Sequence, residues 1–231
     1  MPGQPTYRNS KAIVLLSGGL DSATVLYWAR KKGMDCYGLS FEYGQRHRKE
    51  LECARRIAEK AKCPFKIVSF TLPWKGSALL DAEESIPKNR SLDEMSQGIP
   101  STYVPARNTL FLSFAASWAE AAGASFILIG ANALDFSGYP DCRPDYFSAF
   151  NRMIEKGTRG GLEVLAPFVD LTKAEIIRLG KELGVPYEWT WSCYEGKEFP
   201  CGHCDSCLLR AKGFREAALE DPVLGKVASD A

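Results

Sequence analysis

Lys11-Ala-Ile-Val-Leu-Leu-Ser-Gly-Gly-Leu-Asp-Ser22 is the stretch that decides the fold. Lys11 to Leu16 is a short apolar run with β-branched residues, bounded by a polar turn, which reads as a buried strand. Ser17-Gly18-Gly19 supplies small residues where a backbone must bend and come close to a ligand. Leu20 to Lys32 reads as a helix, with Leu20, Ala23, Leu26 and Tyr27 on its apolar face. Its unpaired N–H groups face whatever sits over the two glycines, so the junction is an anion site. It is not a Walker A loop, which needs Gly-Lys-Ser/Thr after four spacers; no lysine lies between Ser17 and Ala29.

Outward from that junction, Met34 to Phe41 and Phe65 to Phe70 read as strands, with a charged helix over Gln45 to Lys62 between them. The charges of that helix read as a solvated outer face. The βαβαβ run implies a parallel sheet with right-handed crossovers, binding ligands beyond the carboxyl ends of its strands. Thr71 to Pro105 is rich in Pro, Gly, Ser and charge, and reads either as a functional lid or as a plain disordered loop. Further on come a helix from Ala106 to Ala122, a strand from Phe126 to Gly130, a helix from Pro144 to Lys156 and a strand from Glu163 to Phe168. Thr172-Lys-Ala-Glu175 is a capping box opening a helix to Leu183, stopped by Gly184 and Pro186.

At 231 residues the chain is long for one domain and short for two, and its 45% hydrophobic content supports a sizeable core. The net charge of +1 gives no broad basic field for nucleic acid. The polar first ten residues do not resemble a signal peptide, and no apolar run approaches the ~20 residues of a membrane span. A cytoplasmic, soluble protein without membrane partners is expected.

Of eight cysteines, four are scattered, and Cys193, Cys201, Cys204 and Cys207 are clustered. Without a secretion signal, metal is a better reading of the cluster than disulfides. Four thiolates fill the tetrahedral shell of one structural Zn²⁺. An iron–sulfur cluster is the lesser alternative, and His203 is either a substitute ligand or a surface histidine. The strand ending at Gly130 runs into a segment to Arg143 that holds Asp135, Phe136, Tyr139, Asp141 and Arg143. Its rings could stack on a flat heterocycle, its carboxylates accept from a guanine-like edge, and Arg143 clamp an anion. A polar turn with scattered charges fits the segment equally well.

Ser17-Gly-Gly-Leu-Asp-Ser22 resembles the pyrophosphate loop of the N-type ATP pyrophosphatases, which split ATP between its α and β phosphates and adenylate a substrate oxygen. With Tyr43-Gly-Gln-Arg-His47, Val104-Pro-Ala-Arg-Asn108, Asp135-Phe-Ser-Gly-Tyr-Pro-Asp-Cys-Arg143 and Cys201-Gly-His-Cys-Asp-Ser-Cys207, the resemblance narrows to the 7-cyano-7-deazaguanine synthases, over nearly the whole chain. It implies a Rossmann-like, doubly wound parallel α/β sheet of about five strands with a C-terminal zinc-binding helical extension. ATP binding would occupy residues 1–190 and the metal segment 191–231. The implied reaction turns 7-carboxy-7-deazaguanine, ammonia and ATP into the nitrile, a precursor of queuosine or archaeosine in tRNA.

The implied site follows residue by residue. Leu16, Ser17, Gly18, Gly19, Leu20, Asp21 and Ser22 would hold the nucleotide phosphates, with Asp21 capping the helix or holding Mg²⁺. Arg107 and Lys173 are weaker phosphate candidates: Arg107 could instead pair with a carboxylate, and Lys173 could be a solvated charge. Gln45 and Arg46, with His47, would border the substrate unless they merely begin a helix. The family tends to form homodimers. A tRNA-thiolating pyrophosphatase and a non-catalytic zinc module for nucleic acid compete with this reading, and the near-neutral charge weighs against both. Free ammonia rather than glutamine is expected, since the chain lacks an evident activated cysteine for a glutaminase.

Overall fold

The opening apolar run forms β1 (Lys11–Leu15), which a computed structural model places at the centre of a five-stranded sheet. The structure describes residues 7–134 and 138–223. The other strands are β2 (Asp35–Glu42), β3 (Phe65–Ser69), β4 (Phe126–Ile129) and β5 (Glu163–Leu165), in the order β3-β2-β1-β4-β5, all parallel. The helices are α1 (Leu20–Lys31), α2 (Lys49–Lys60), α3 (Leu92–Ser96), α4 (Arg107–Ala122), α5 (Pro144–Gly157), α6 (Lys173–Glu182) and α7 (Asp205–Glu216).

Side chains alternate across a strand, so β1 feeds two cores. Ala12, Val14 and Leu16 meet Leu26 of α1, Ile57 of α2, Ile177 of α6 and Phe214 of α7 on one face. Ile13 and Leu15 meet Leu112 of α4 and Phe150 and Ile154 of α5 on the other. A sheet covered on both faces is the doubly wound class expected. Phe214 and Ala217 put the end of α7 into the same core as β1, so the C-terminal segment packs on the sheet rather than apart from it.

Because β1 lies between β2 and β4, the chain reverses its direction of travel across the sheet there, and a crevice opens beyond the strand ends. Gly130, just past β4, closes it from below: a Cβ there would lie 2.8 Å from the Ser22 nitrogen.

Several boundaries differ from the sequence reading. The helix expected from Gln45 begins at Lys49. The Gln45 amide instead stitches a turn, accepting from Tyr43 N at 2.7 Å and donating to Phe41 O at 3.0 Å. The last strand stops at Leu165, and Phe168 turns into the core. The helix expected from Ala106 starts at Arg107, with Ala106 left-handed at φ 53°. Within 71–105, Ser91 and Glu94 form a second capping box that nucleates α3, a Ser-x-x-Glu pattern legible in the sequence. The box at Thr172 and Glu175 forms as expected.

The 71–105 segment is tied down at its middle and near its C-terminal end. Lys88 makes an antiparallel bridge with Cys204, and Asn89 N donates to His203 O at 2.9 Å. Arg90 grips the Asp205 carboxylate with two nitrogens, and Lys88 pairs with Glu195. On the cavity side the Thr102 and Tyr139 hydroxyls meet at 2.9 Å. No described helix is long and apolar enough to cross a membrane.

Candidate active site and metal centre

The crevice is walled by β1 and its loop, the ends of β2 and β4, and residues from α2, α4, α6 and the metal segment. Gly19 occupies the N-cap of α1, and no side chain caps it. The loop hydroxyls close on themselves: Ser17 Oγ and Ser22 Oγ are 3.0 Å apart, Ser17 N donates to Ser22 Oγ at 3.2 Å, and Ser22 Oγ donates to Gly19 O at 3.1 Å. These bonds hold the loop in a curve around the first-turn N–H groups of α1, which point outward from the helix start.

Gly18 has φ +90°, and a Cβ added there would lie 2.1 Å from the Glu50 carbonyl oxygen. Its own carbonyl accepts from Trp191 N at 3.0 Å, which links the loop to the metal segment. Gly18→Ala should therefore cost more than the ~1–2 kcal/mol of a left-handed alanine alone. Thermal unfolding should shift down by several degrees and ATP binding should weaken, as calorimetry would measure. A wild-type midpoint would contradict this packing.

Asp21 sits in the first turn of α1. Its two carboxylate oxygens accept from Lys173 Nζ at 2.8 and 2.7 Å across 152 residues of chain. The pair faces the crevice, with 23% and 10% of the respective side chains exposed. Lys173 is therefore not a solvated charge. Arg107 also lines the crevice and reaches the Tyr43 hydroxyl at 3.5 Å.

Of the residues expected to contact the heterocycle, Gln45 and Tyr139 line the crevice. Asp135 and Phe136 lie outside the described residues. Asp141 and Arg143 are not in the crevice wall. Asp141 is buried, and its carboxylate accepts from Asn108 N at 2.9 Å, fixing the first turn of α4. Arg143 is exposed at the start of α5. Arg46 is spent on the Asp81 and Glu84 carbonyls, and His47 is wedged behind Gly196, both outside the wall.

Sequence reasoning missed Glu50, Tyr43, Tyr194 and Arg210, which do line the crevice. Arg210 pairs with the buried Asp221 through Nε at 2.7 Å and NH2 at 2.9 Å, and donates to Thr190 Oγ1 at 2.8 Å. Tyr43 opens the Tyr43-Gly-Gln-Arg-His47 motif, but nothing local marks the other three. Glu50 in particular sits among the helix charges read as solvated.

The Cys193, Cys201, Cys204 and Cys207 sulfurs lie within 4.8 Å of one another. Cys201 N donates to Cys193 Sγ at 3.3 Å, and His203 N and Cys204 N donate to Cys201 Sγ at 3.4 and 3.3 Å. Backbone donors aimed at sulfur suit thiolates. Hydrogen bonds from the Cys204 and Cys207 thiols hold Cys193 well below the ordinary thiol range, while those two are pushed up. Such sharing fits a site for a cation that neutralises all four. The His203 side chain meets Asn89 Oδ1 at 3.1 Å instead of joining the cluster.

Comparison with known proteins agrees with the geometry. Residues 11–218 match the family model described as Queuosine biosynthesis protein QueC. The chain is 55% identical over 221 residues to the 7-cyano-7-deazaguanine synthase of Trichodesmium erythraeum, covering 93% of this chain and 100% of that one. It is 52% identical over 217 residues to that of Thermoplasma acidophilum, covering 92% and 91%. Among solved structures, the NMN synthetase from Francisella tularensis has a similar fold, with a TM-score of 0.51 at 17% identity over 95% of this chain and 82% of that one.

Proposed function

The chain belongs to the queuosine biosynthesis protein QueC family, and from that premise we propose how its crevice carries out the reaction. Membership makes the chain an ATP-dependent ligase of queuosine-precursor synthesis. The observation that carries the mechanism is the pyrophosphate loop at the switch point, with the Asp21–Lys173 pair beside it.

In our reading, Ser17 to Ser22, with Leu16 behind them, receive the β and γ phosphates on the N-terminus of α1. The Lys173 ammonium, oriented by Asp21, stabilises the charge that builds when the α–β bond breaks. Mg²⁺ would travel on the phosphates, offsetting their charge, rather than sit in a protein cage. Arg107 adds positive charge to the wall. A substrate carboxylate attacks the α phosphate, AMP becomes the leaving group, and ammonia adds to give the amide. The amide oxygen is again a poor leaving group, so the same loop adenylates a second time before the nitrile forms. Gln45 and Tyr139, with Asp135 and Phe136, are our candidates to hold the heterocycle. Asp141 supports the site indirectly through α4, and Arg143 and Arg46 lie outside the described wall.

We assign one structural Zn²⁺ to the four cysteines, leaving residues 1–190 the nucleotide chemistry, and we place the enzyme in the cytoplasm as a homodimer that contacts no nucleic acid. Incubation of the pure chain with the 7-amido compound and ATP, without ammonia, tests the route. Nitrile and AMP should both appear. An inert amide, or dehydration without ATP, would rule out double activation.

A further inference from the structure

Two carboxylates occur among the described residues lining the crevice, Asp21 and Glu50. Asp21 is bound at both oxygens by Lys173. The Glu50 side chain takes no hydrogen bond or ion pair from any described residue, although it sits in the wall at the second position of α2. Its backbone carbonyl lies under Gly18, so the residue is held against the pyrophosphate loop. Acids elsewhere in the wall are poor proton acceptors or donors near neutrality: burial pushes the Cys142 thiol up to about 12 and raises the Tyr139 and Tyr194 phenols. His47 lies outside the wall, and His203 is on the surface.

The proposed reaction releases protons in that space. In amide formation the ammonia nitrogen bonds to the acyl carbon and the C–O bond to AMP breaks. AMP keeps the electron pair, and one N–H proton must go. In the second stage the adenylated amide, –C(=NH2⁺)–O–AMP, becomes a nitrile by losing both N–H protons while its C–O bond breaks toward AMP. Each proton needs an acceptor beside the loop that can pass it on to water. We propose that Glu50 is that general base, a further catalytic residue of the carbon–nitrogen steps. The assignment rests on the reaction proposed above.

The surroundings of Glu50 suit the task. Loss of solvation pushes its carboxyl up to about 7, against the pull of the Arg107 guanidinium. A base near the working pH takes a proton readily and releases it again. Glu50 would thus be idle in adenylation and needed in both later steps.

Single turnovers of the full chain with the 7-carboxy compound, ATP and ammonia separate these steps. In Glu50→Gln, pyrophosphate release should stay within about threefold of wild type, while nitrile formation should slow by ~10²- to 10⁴-fold. The acyl adenylate should then accumulate, visible by mass spectrometry. In Glu50→Ala, added formate should restore nitrile formation in proportion to its concentration, which a structural defect would not allow. Nitrile at the wild-type rate in Glu50→Gln, an equal loss of pyrophosphate release, or no formate rescue would each overturn the assignment. Should Glu50→Gln fail to fold by circular dichroism, Glu50→Ala in formate decides. If wild type itself releases no pyrophosphate with the 7-carboxy compound, it is the proposed reaction that fails and not the choice of base.

Discussion

Lys173→Met is expected to slow pyrophosphate release by ~10²- to 10³-fold, the usual loss when one preorganised charge at a transition state is removed. Lys173 Nζ meets both Asp21 oxygens at 2.7 and 2.8 Å in a partly buried setting, so the ammonium is held in place before ATP arrives. The Lys173 stem also packs on α7, where a Cβ at Gly213 would lie 2.3 Å from its Cγ. Breaking a buried ion pair from one side costs up to ~3–5 kcal/mol, and the partial exposure of this pair puts it below that range. The double variant Asp21→Asn/Lys173→Met removes the carboxylate charge of the pair as well. It should recover most of the melting temperature and none of the rate. A double variant that releases pyrophosphate as wild type does would take the pair out of the chemistry.

Cys204→Ser is expected to have the largest effect on stability. A structural zinc site can supply ~10–16 kcal/mol of apparent folding free energy in small metal-dependent peptides. Cys204 is fully buried, and it is both a cluster sulfur and the bridge partner of Lys88. Loss of metal should therefore loosen more than the knuckle itself. Hydrogen exchange should speed up over 193–216 and also over 86–91, because Lys88, Asn89 and Arg90 are anchored on Glu195, Cys204, His203 and Asp205. Strong chelation of the wild type should reproduce the same pattern. Arg90→Ala should loosen 86–91 while metal content is retained, which separates the anchor from the ion. Unchanged protection over 86–91 in Cys204→Ser would show that the two segments are independent.

That anchoring bears on residues 71–105. Composition allowed a lid or a disordered loop, because Pro, Gly and charge describe both. The contacts to the metal segment and to Tyr139 tie it between the cysteine cluster and the crevice wall.

What the sequence determined by itself is whatever neighbouring residues decide among themselves. The strand–turn–helix at Lys11 to Lys31, the parallel order of strands and helices, the Thr172–Glu175 box and the four-cysteine spacing all depend on periodicity or spacing within one or two elements. The function was legible for a different reason: long motifs carried a family resemblance. The crevice wall was legible in part. Leu16, Ser17, Gly19 to Ser22, Gln45, Arg107, Tyr139 and Lys173 are legible in the sequence, but what each one touches is not. Only the tertiary structure decided that Lys173 grips Asp21 from 152 residues away. It also turned Asp141 inward to hold Asn108, left Arg143 in solvent, and brought Glu50 out of an apparently solvated helix face into the wall. A charged residue carries no local mark of its partner: whether it meets solvent, an ion or a ligand depends on which distant elements pack over it, and that packing is set by the sheet order and the two cores together.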